Sequence, residues 1–292
     1  MDLWLWLPLG LLAALGTAAA DAVTKRFFAD LSPYGMSLAQ WLFALPYLLI
    51  VGLALPWPPL DRTFWLAVAT ALPLEVAAAL LYMRAIKVCP ISRCIPFLAF
   101  TPVFLILTGR LILGEGLNRW GVAAVLLMAA GSYTLSLGTG GYGFWAPLRS
   151  LAREPGPRFM LAVAGLYSCT AALGKLAILH SEPAFYGVLY PLLFSGVMLA
   201  GYPWSNPRPA RTLWTRRGWG AILGLCLAAT IISQVYGLRL APAAYLIAVK
   251  RTSVFFSVVL GGWWLRERPI VPRLIGAGLM AGGVMLLAFK GM

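Results

Sequence analysis

Two adjacent cations interrupt one of the most apolar stretches of this sequence. Lys250 and Arg251 lie near the middle of AYLIAVKRTSVFFSVVLGGWWL, which covers residues 244–265 and is long enough to cross a bilayer. Placing one Lys or Arg at the centre of a membrane helix costs about 2.5–3.5 kcal/mol. Such residues usually face a bundle interior or a wet cavity. We therefore expect this pair to bind the anionic group of a ligand, such as a carboxylate or a phosphate.

A carboxylate stands in a similar position earlier in the chain. Glu75 lies at the centre of FWLAVATALPLEVAAALLYMRA, at a depth similar to that of Lys250 and Arg251. We expect all three to face one central cavity. Glu75 would bind an amine or carry a proton if it contacts the ligand. The alternative is a structural ion pair with the cations that only fixes packing, and the sequence leaves this choice open.

Other polar side chains could line the same cavity. Tyr82 lies seven residues after Glu75, on the same helical face, and Gln234 lies eight residues before a proline, as Tyr82 does. Ser253 follows the two cations. For these three residues the alternative role is an interhelical hydrogen bond. The predicted substrate-binding residues are Lys250, Arg251, Glu75, Tyr82, Gln234 and Ser253.

The composition indicates the kind of protein that must position these residues. The chain of 292 residues is 61% hydrophobic with a mean hydropathy of +0.84, and only 11% of its residues are charged. A soluble domain has about 25% charged residues and cannot bury so much apolar surface. Barrel strands would alternate in polarity. We therefore predict an all-α integral membrane protein. The net charge of +14 does not indicate nucleic-acid binding, because the basic residues lie in short loops.

Ten apolar runs of about 20 residues predict ten transmembrane helices. The first run ends in a pattern that resembles a signal-peptide cleavage site. It has no basic segment before it, so we interpret it as an uncleaved span. The runs lie at about 3–24, 35–55, 63–86, 91–113, 119–138, 159–180, 184–203, 217–240, 243–265 and 270–289.

The basic residues predict the orientation. Of the 23 Lys and Arg, fifteen lie in the loops after the odd-numbered spans and six on the other side, with the two in span nine set apart. The side with more Lys and Arg should be cytoplasmic. Both termini are then expected outside, in a bacterial-type inner membrane. Lys175, near the outer end of the sixth span, is expected to extend its charge to the membrane surface. The four cysteines are interpreted as small buried side chains and not as disulfides or metal ligands.

The chain also repeats itself. Residues 85–137 match residues 237–289 at eleven of 53 positions without gaps, where roughly four or five matches are expected by chance. Glu115 aligns with Glu267, and Pro90 with Pro242. We predict a first five-helix unit at 1–140, a cytoplasmic linker at 141–158 and a second unit at 159–292. Because five is odd, the second unit would be inverted. Secondary transporters have this architecture, although duplication could also simply have built a larger bundle.

Two segments resemble a known superfamily. The stretches PFLAFTPVFLILTGRLILGE at 96–115 and SVFFSVVLGGWWLRE at 253–267 are similar to a signature of EamA-type members of the drug/metabolite transporter superfamily. The resemblance covers essentially the whole chain and implies the ten-helix fold. It leaves the substrate open, since the superfamily includes amino-acid exporters, sugar-phosphate exchangers and lipid-carrier flippases. Phosphate exchangers of this superfamily place a Lys-Arg pair on the ninth helix, as here, whereas Glu75 departs from a pure anion site.

The sequence therefore predicts a secondary transporter that works by alternating access. The first choice is export of a small zwitterionic or anionic metabolite, such as an amino acid or an organic acid. The alternatives are an organophosphate, phosphonate or sugar-phosphate exchanger and a lipid-linked substrate flippase. We expect no enzyme activity, cofactor or metal site, because the phosphate-loop and common hydrolase motifs are absent from the sequence. The expected partners are the substrate and the bilayer, with proton coupling or exchange as the driving force. Nucleic acid is not an expected partner, and the protein would be a monomer or a homodimer.

Overall fold

The computed structural model describes residues 5–88, 94–137, 151, 153–201, 213–256 and 271–290. Within these residues the chain forms ten α-helices and one 3₁₀ helix, and no strand occurs. The elements are α1 (Trp6–Phe27), α2 (Pro33–Gly52), α3 (Arg62–Val88), the 3₁₀ helix Ile95–Phe100, α4 (Thr101–Leu113), α5 (Arg119–Leu137), α6 (Pro155–Leu179), α7 (Pro183–Ala200), α8 (Arg217–Leu240), α9 (Ala243–Lys250) and α10 (Val271–Lys290).

Local sequence signals set several of the helix ends. Ser32 caps α2, because its hydroxyl accepts a hydrogen bond from the Gly35 amide at 3.1 Å. Proline occupies the first position of α2, where its missing amide proton has no helical partner to lose. At its C-terminus, α4 ends at Leu113 and is followed by Gly114, whose φ of 69° is easily adopted only by glycine.

Six helices are long and apolar enough to cross a membrane: α1, α2, residues 62–85 of α3, α6, α7 and α8. Apolar helices that span residues 97–113 and 275–290 are shorter. The all-helical, membrane-spanning fold class is thus as predicted, and the count of ten spans stays a prediction. Part of predicted span nine, at 257–265, lies outside the described residues.

The first helices of the two halves, α1 and α6, run in opposite directions. Trp6, at the start of α1, packs against Tyr245 near the start of α9, with ring centroids 6.5 Å apart. The last turns of α6 reach this same end, where Lys175 Nζ donates a hydrogen bond to the Ala241 carbonyl at 2.5 Å. Since α1 leaves the end at which α6 arrives, the two helices are antiparallel, as an inverted repeat requires.

The packing between the halves is also reciprocal. The third helix of each half packs on the first helix of the other, α3 on α6 and α8 on α1. The last helices, α5 and α10, pack against each other along small residues. A Cβ added to Gly131 would lie 2.8 Å from the Gly276 carbonyl oxygen, and one added to Gly283 would lie 3.0 Å from the Ala124 carbonyl oxygen. This small-residue face is therefore used within the chain, and the oligomeric state stays a prediction.

The prediction for the cysteines is wrong at one position. Cys94 is disulfide-bonded, whereas Cys169 and Cys226 are free, as expected. Cys89 lies outside the described residues.

Candidate substrate-binding site

One cavity of about 240 Å³ brings together the polar side chains that were predicted from the sequence. Side chains from both halves line it, from every described α-helix except α5 and α10. All six predicted residues lie in its wall: Lys250, Arg251, Glu75, Tyr82, Gln234 and Ser253. The structure therefore brings these residues together, and their contact with a substrate stays a prediction.

Both halves interrupt a helix beside this cavity. In the second half, α9 ends at Lys250, Arg251 and Thr252 form a turn, and residues 253–256 are helical again. In the first half, the 3₁₀ helix leads into α4. The shift that aligns the repeats places Leu98 with Lys250, so the two irregular segments are equivalent. The helix of the span predicted at about 243–265 is therefore interrupted after Lys250, and the span itself stays a prediction. Interrupted helices are typical of transporter binding sites, since irregular backbone is tolerated at membrane depth where it lines a cavity.

The break explains how the chain accommodates two cations there. Lys250 is in the last turn of α9 and Arg251 is its C-terminal cap. The carbonyl end of a helix carries partial negative charge, which favours cations. Lys250 Nζ also donates a hydrogen bond to Gln234 Oε1 at 2.5 Å. The Arg251 Nε atom is buried and has no hydrogen-bond partner among the described residues.

Asp21 is a cavity residue that the sequence analysis missed. Its carboxylate lies in the cavity wall and interacts electrostatically with Lys250 and Arg251. Tyr82 Oη donates to Asp21 Oδ2 at 3.5 Å. The apolar run at about 3–24 predicts that Asp21 lies near a membrane surface. Because α1 continues to Phe27, Asp21 instead lies six residues, or about 9 Å, inside the helix end.

Glu75 lies among hydroxyl groups. Thr170 on α6 is within hydrogen-bonding reach of its carboxylate, and Lys250 interacts with it electrostatically. Three tyrosines that the sequence analysis also missed stand near Glu75 in the cavity wall: Tyr167, Tyr186 and Tyr190. The rings of Tyr186 and Tyr190 are stacked, with centroids 5.1 Å apart.

The described wall of the cavity carries balanced charge. Its cations are Lys250 and Arg251, and its carboxylates are Asp21 and Glu75. Two positive and two negative groups make the site formally neutral. No Lys, Arg, Asp or Glu other than these four appears in the described lining. A neutral site with separated charges can hold a ligand that carries both a cationic and an anionic group.

An ion pair that lies outside the cavity corrects the prediction for Lys175. Lys175 does not extend into solvent, because the residue is only 6% exposed. Its ammonium pairs with Glu115, and the side chains are only 8% and 18% exposed. The partners lie 60 residues apart in different halves. The ion pair therefore joins the halves where α1 begins and α6 ends.

Comparison with known proteins is consistent with this architecture. The model of the EamA-like transporter family matches residues 4–137 and again residues 155–289. The chain belongs to the EamA-like transporter family. It is thus a multi-pass membrane protein of the drug/metabolite transporter superfamily, a group of transporters.

The fold also resembles a solved structure, the crystal structure of a protein. The match has a TM-score of 0.77 and covers 97% of this chain and 98% of the other, at 17% sequence identity. At that identity the likeness concerns the fold alone. No curated protein matches the sequence significantly.

Proposed function

We propose that this EamA-like protein is a secondary transporter that exports a small zwitterionic metabolite, such as an amino acid, by alternating access. The observation that carries the proposal is the balanced charge of the cavity. Two cations face two carboxylates across the interface between the halves, with Asp21 and Glu75 in the first half and Lys250 and Arg251 in the second. A zwitterion can satisfy both signs without adding net charge to a buried site.

The size of the cavity supports a small substrate. Its volume is about 240 Å³, below the roughly 300–1,000 Å³ of pockets that hold drug-sized ligands. This volume argues against a lipid-linked substrate.

The proposed roles follow from the positions of the charges. Lys250 and Arg251 bind the substrate carboxylate, and Glu75 binds its amine. Gln234 holds the Lys250 ammonium in place, and Tyr82 holds Asp21. Ser253, at 7% exposure, supplies a hydroxyl beside the cations. These groups alternately face the two sides of the membrane as the halves rock around the cavity.

One observation favours a second candidate, an organophosphate or phosphonate exchanger. The adjacent cations Lys250 and Arg251 suit a phosphate, which carries more negative charge than a carboxylate. The two carboxylates in the same wall oppose it, because they repel such an anion. The zwitterion is therefore the better match to the whole site.

Uptake by proteoliposomes tests the two candidates. The substrates are radiolabelled amino acids, organic acids and sugar phosphates, each with and without a pH gradient. We expect uptake of at least one zwitterion, which is lost in Lys250→Ala, Arg251→Ala and Glu75→Gln and retained in the matched control Lys87→Ala, whose side chain is exposed away from the cavity. Uptake of sugar phosphates alone would select the second candidate. Normal uptake by all three variants, if they fold, would contradict the proposed substrate-binding site.

A further inference from the structure

The ion pair between Glu115 and Lys175 belongs to a larger set of contacts around the start of α9. Lys175 Nζ pairs with one carboxylate oxygen of Glu115 and also donates to the Ala241 carbonyl at 2.5 Å. The other oxygen of Glu115 accepts a hydrogen bond from the Ala243 amide at 2.9 Å. Glu115, Lys175 and residues 241–243 are called the clasp below.

The clasp gives Glu115 and Lys175 several partners each. The carboxylate holds an ammonium and an N-terminal amide of α9, where the helix dipole favours a negative charge. The ammonium holds a carboxylate and a carbonyl. Stability alone is a weak reason for such a pair, because apolar residues of similar volume often stabilise a buried site equally well.

The position of the clasp gives a more specific reason. Glu115 follows α4 in the first half, whereas Lys175 and α9 belong to the second half. The clasp therefore ties the halves together at one end of the bundle. It also binds the N-terminal end of α9, the eight-residue helix whose last residue is Lys250. Seven residue steps of about 1.5 Å separate Ala243 from Lys250, so the cation lies about 10 Å from the clasp along a single rigid helix.

We propose that Glu115 and Lys175 are positioning residues that close this end of the cavity, align α9, and separate each time this end opens. The proposal rests on the alternating access proposed above. When the halves part here, water reaches both ions. Their regained hydration then offsets the lost attraction, which an apolar contact could not do. The closed and open arrangements therefore remain close in free energy, as a transport cycle requires.

Sided labelling of the native Lys250 tests the proposal without any substrate. Membrane vesicles of both orientations are treated with a membrane-impermeant amine-acetylating reagent, and acetylated lysines are measured by mass spectrometry. Two exposed lysines mark the side that the reagent reaches. Lys290 marks the clasp end, since its carbonyl accepts a hydrogen bond from Asn118, close to Glu115. Lys25 marks the opposite end, where α1 finishes.

The variants are Glu115→Gln, Lys175→Met and the conservative control Lys175→Arg. We expect the two neutral variants to raise Lys250 labelling from the clasp end about fivefold or more, without an equal rise from the Lys25 end. Lys175→Arg should label like the wild type. Unchanged labelling from the clasp end would overturn the proposal. An equal rise from both ends would also overturn it, since that result indicates general loosening. Because no substrate is used, failed uptake of zwitterions would contradict the proposed function and leave this result standing.

Discussion

Two groups of buried charges lie in this transporter, and their surroundings differ. In the clasp, Glu115 and Lys175 are joined directly, and each has a backbone partner. In the cavity, Lys250 is hydrogen-bonded to a neutral amide and interacts with Glu75 and Asp21 only through electrostatics, and one nitrogen of Arg251 has no partner among the described residues.

The difference separates a contact that holds structure from a site prepared for a ligand. Charges in direct contact satisfy one another. Charges that are placed close together but not in contact keep hydrogen-bonding capacity for a third group. The comparison predicts opposite results when a lysine is removed. Loss of the cavity lysine should impair transport and spare the fold, whereas loss of the clasp lysine should affect the fold and its conformations.

The largest expected effect is on transport by a cavity variant. Lys250→Met removes a cation that is proposed to pair with the substrate carboxylate, and truncating one partner of a buried charge pair of this kind costs about 2–5 kcal/mol. We therefore expect uptake of the transported zwitterion to fall about 30-fold or more. The melting temperature should stay close to that of the wild type, because Lys250 makes no direct ion pair with a described residue. Proteoliposome uptake and a thermal shift assay check both points, with Lys87→Ala as control. Unimpaired uptake would show that the cavity cations serve packing.

The next effect concerns the clasp and is a test of non-additivity. Lys175→Met leaves the carboxylate of Glu115 without its cation, whereas the double variant with Glu115→Gln removes that charge as well. We expect the double variant to unfold at a higher temperature than Lys175→Met alone, with a coupling of about 0.5–3 kcal/mol. Thermal melts of the purified variants measure this. Strictly additive losses would mean that the two residues act separately.

A smaller effect should follow from a change in the charge of the cavity. Asp21→Asn leaves two cations against one carboxylate. The preference between a monocarboxylate and a zwitterion should then shift towards the monocarboxylate by about tenfold. Competition of acetate against the transported amino acid gives the ratio. If the ratio does not change, Asp21 does not contribute to selectivity, and the balanced charge of the site has another purpose.

The residues found and missed by sequence reasoning show what a single chain discloses. Lys250, Arg251 and Glu75 stand out because an ionised group in the middle of an apolar run is costly. Asp21 does not stand out, because it lies only three residues before the end of the apolar run at about 3–24. Tyr167, Tyr186 and Tyr190 do not, because a tyrosine carries no charge whose burial would be costly.

The clasp and the helix break were beyond sequence reasoning for different reasons. Glu115 and Lys175 each lie near a span end, where single charges are ordinary, and their partnership depends on packing between the halves. The break after Lys250 falls within an apolar run whose residue types suit a continuous helix. The position is distinguished only by its place beside the cavity between the two halves, which depends on how they pack. The repeat, by contrast, could be predicted, since it is present in the residue identities themselves.

The smallest expected effect concerns a charge outside the spans and near the clasp end. Asp61 caps the start of α3, and the hydrogen bond from the Phe64 amide at 2.8 Å lowers the pKa of its carboxyl, as does His180 at 2.7 Å. A lowered pKa means that the folded protein favours the ionised form. The stabilisation is therefore present above the unfolded value of about 3.9 and is lost as the pH falls through the folded value. Asp61→Asn keeps a capping side chain and removes only the charge. We expect the melting temperature of the variant to lie slightly below that of the wild type at pH 6, with the gap closing as the pH approaches 3. A gap that persists or widens in acid would show that the charge of Asp61 does not stabilise this end.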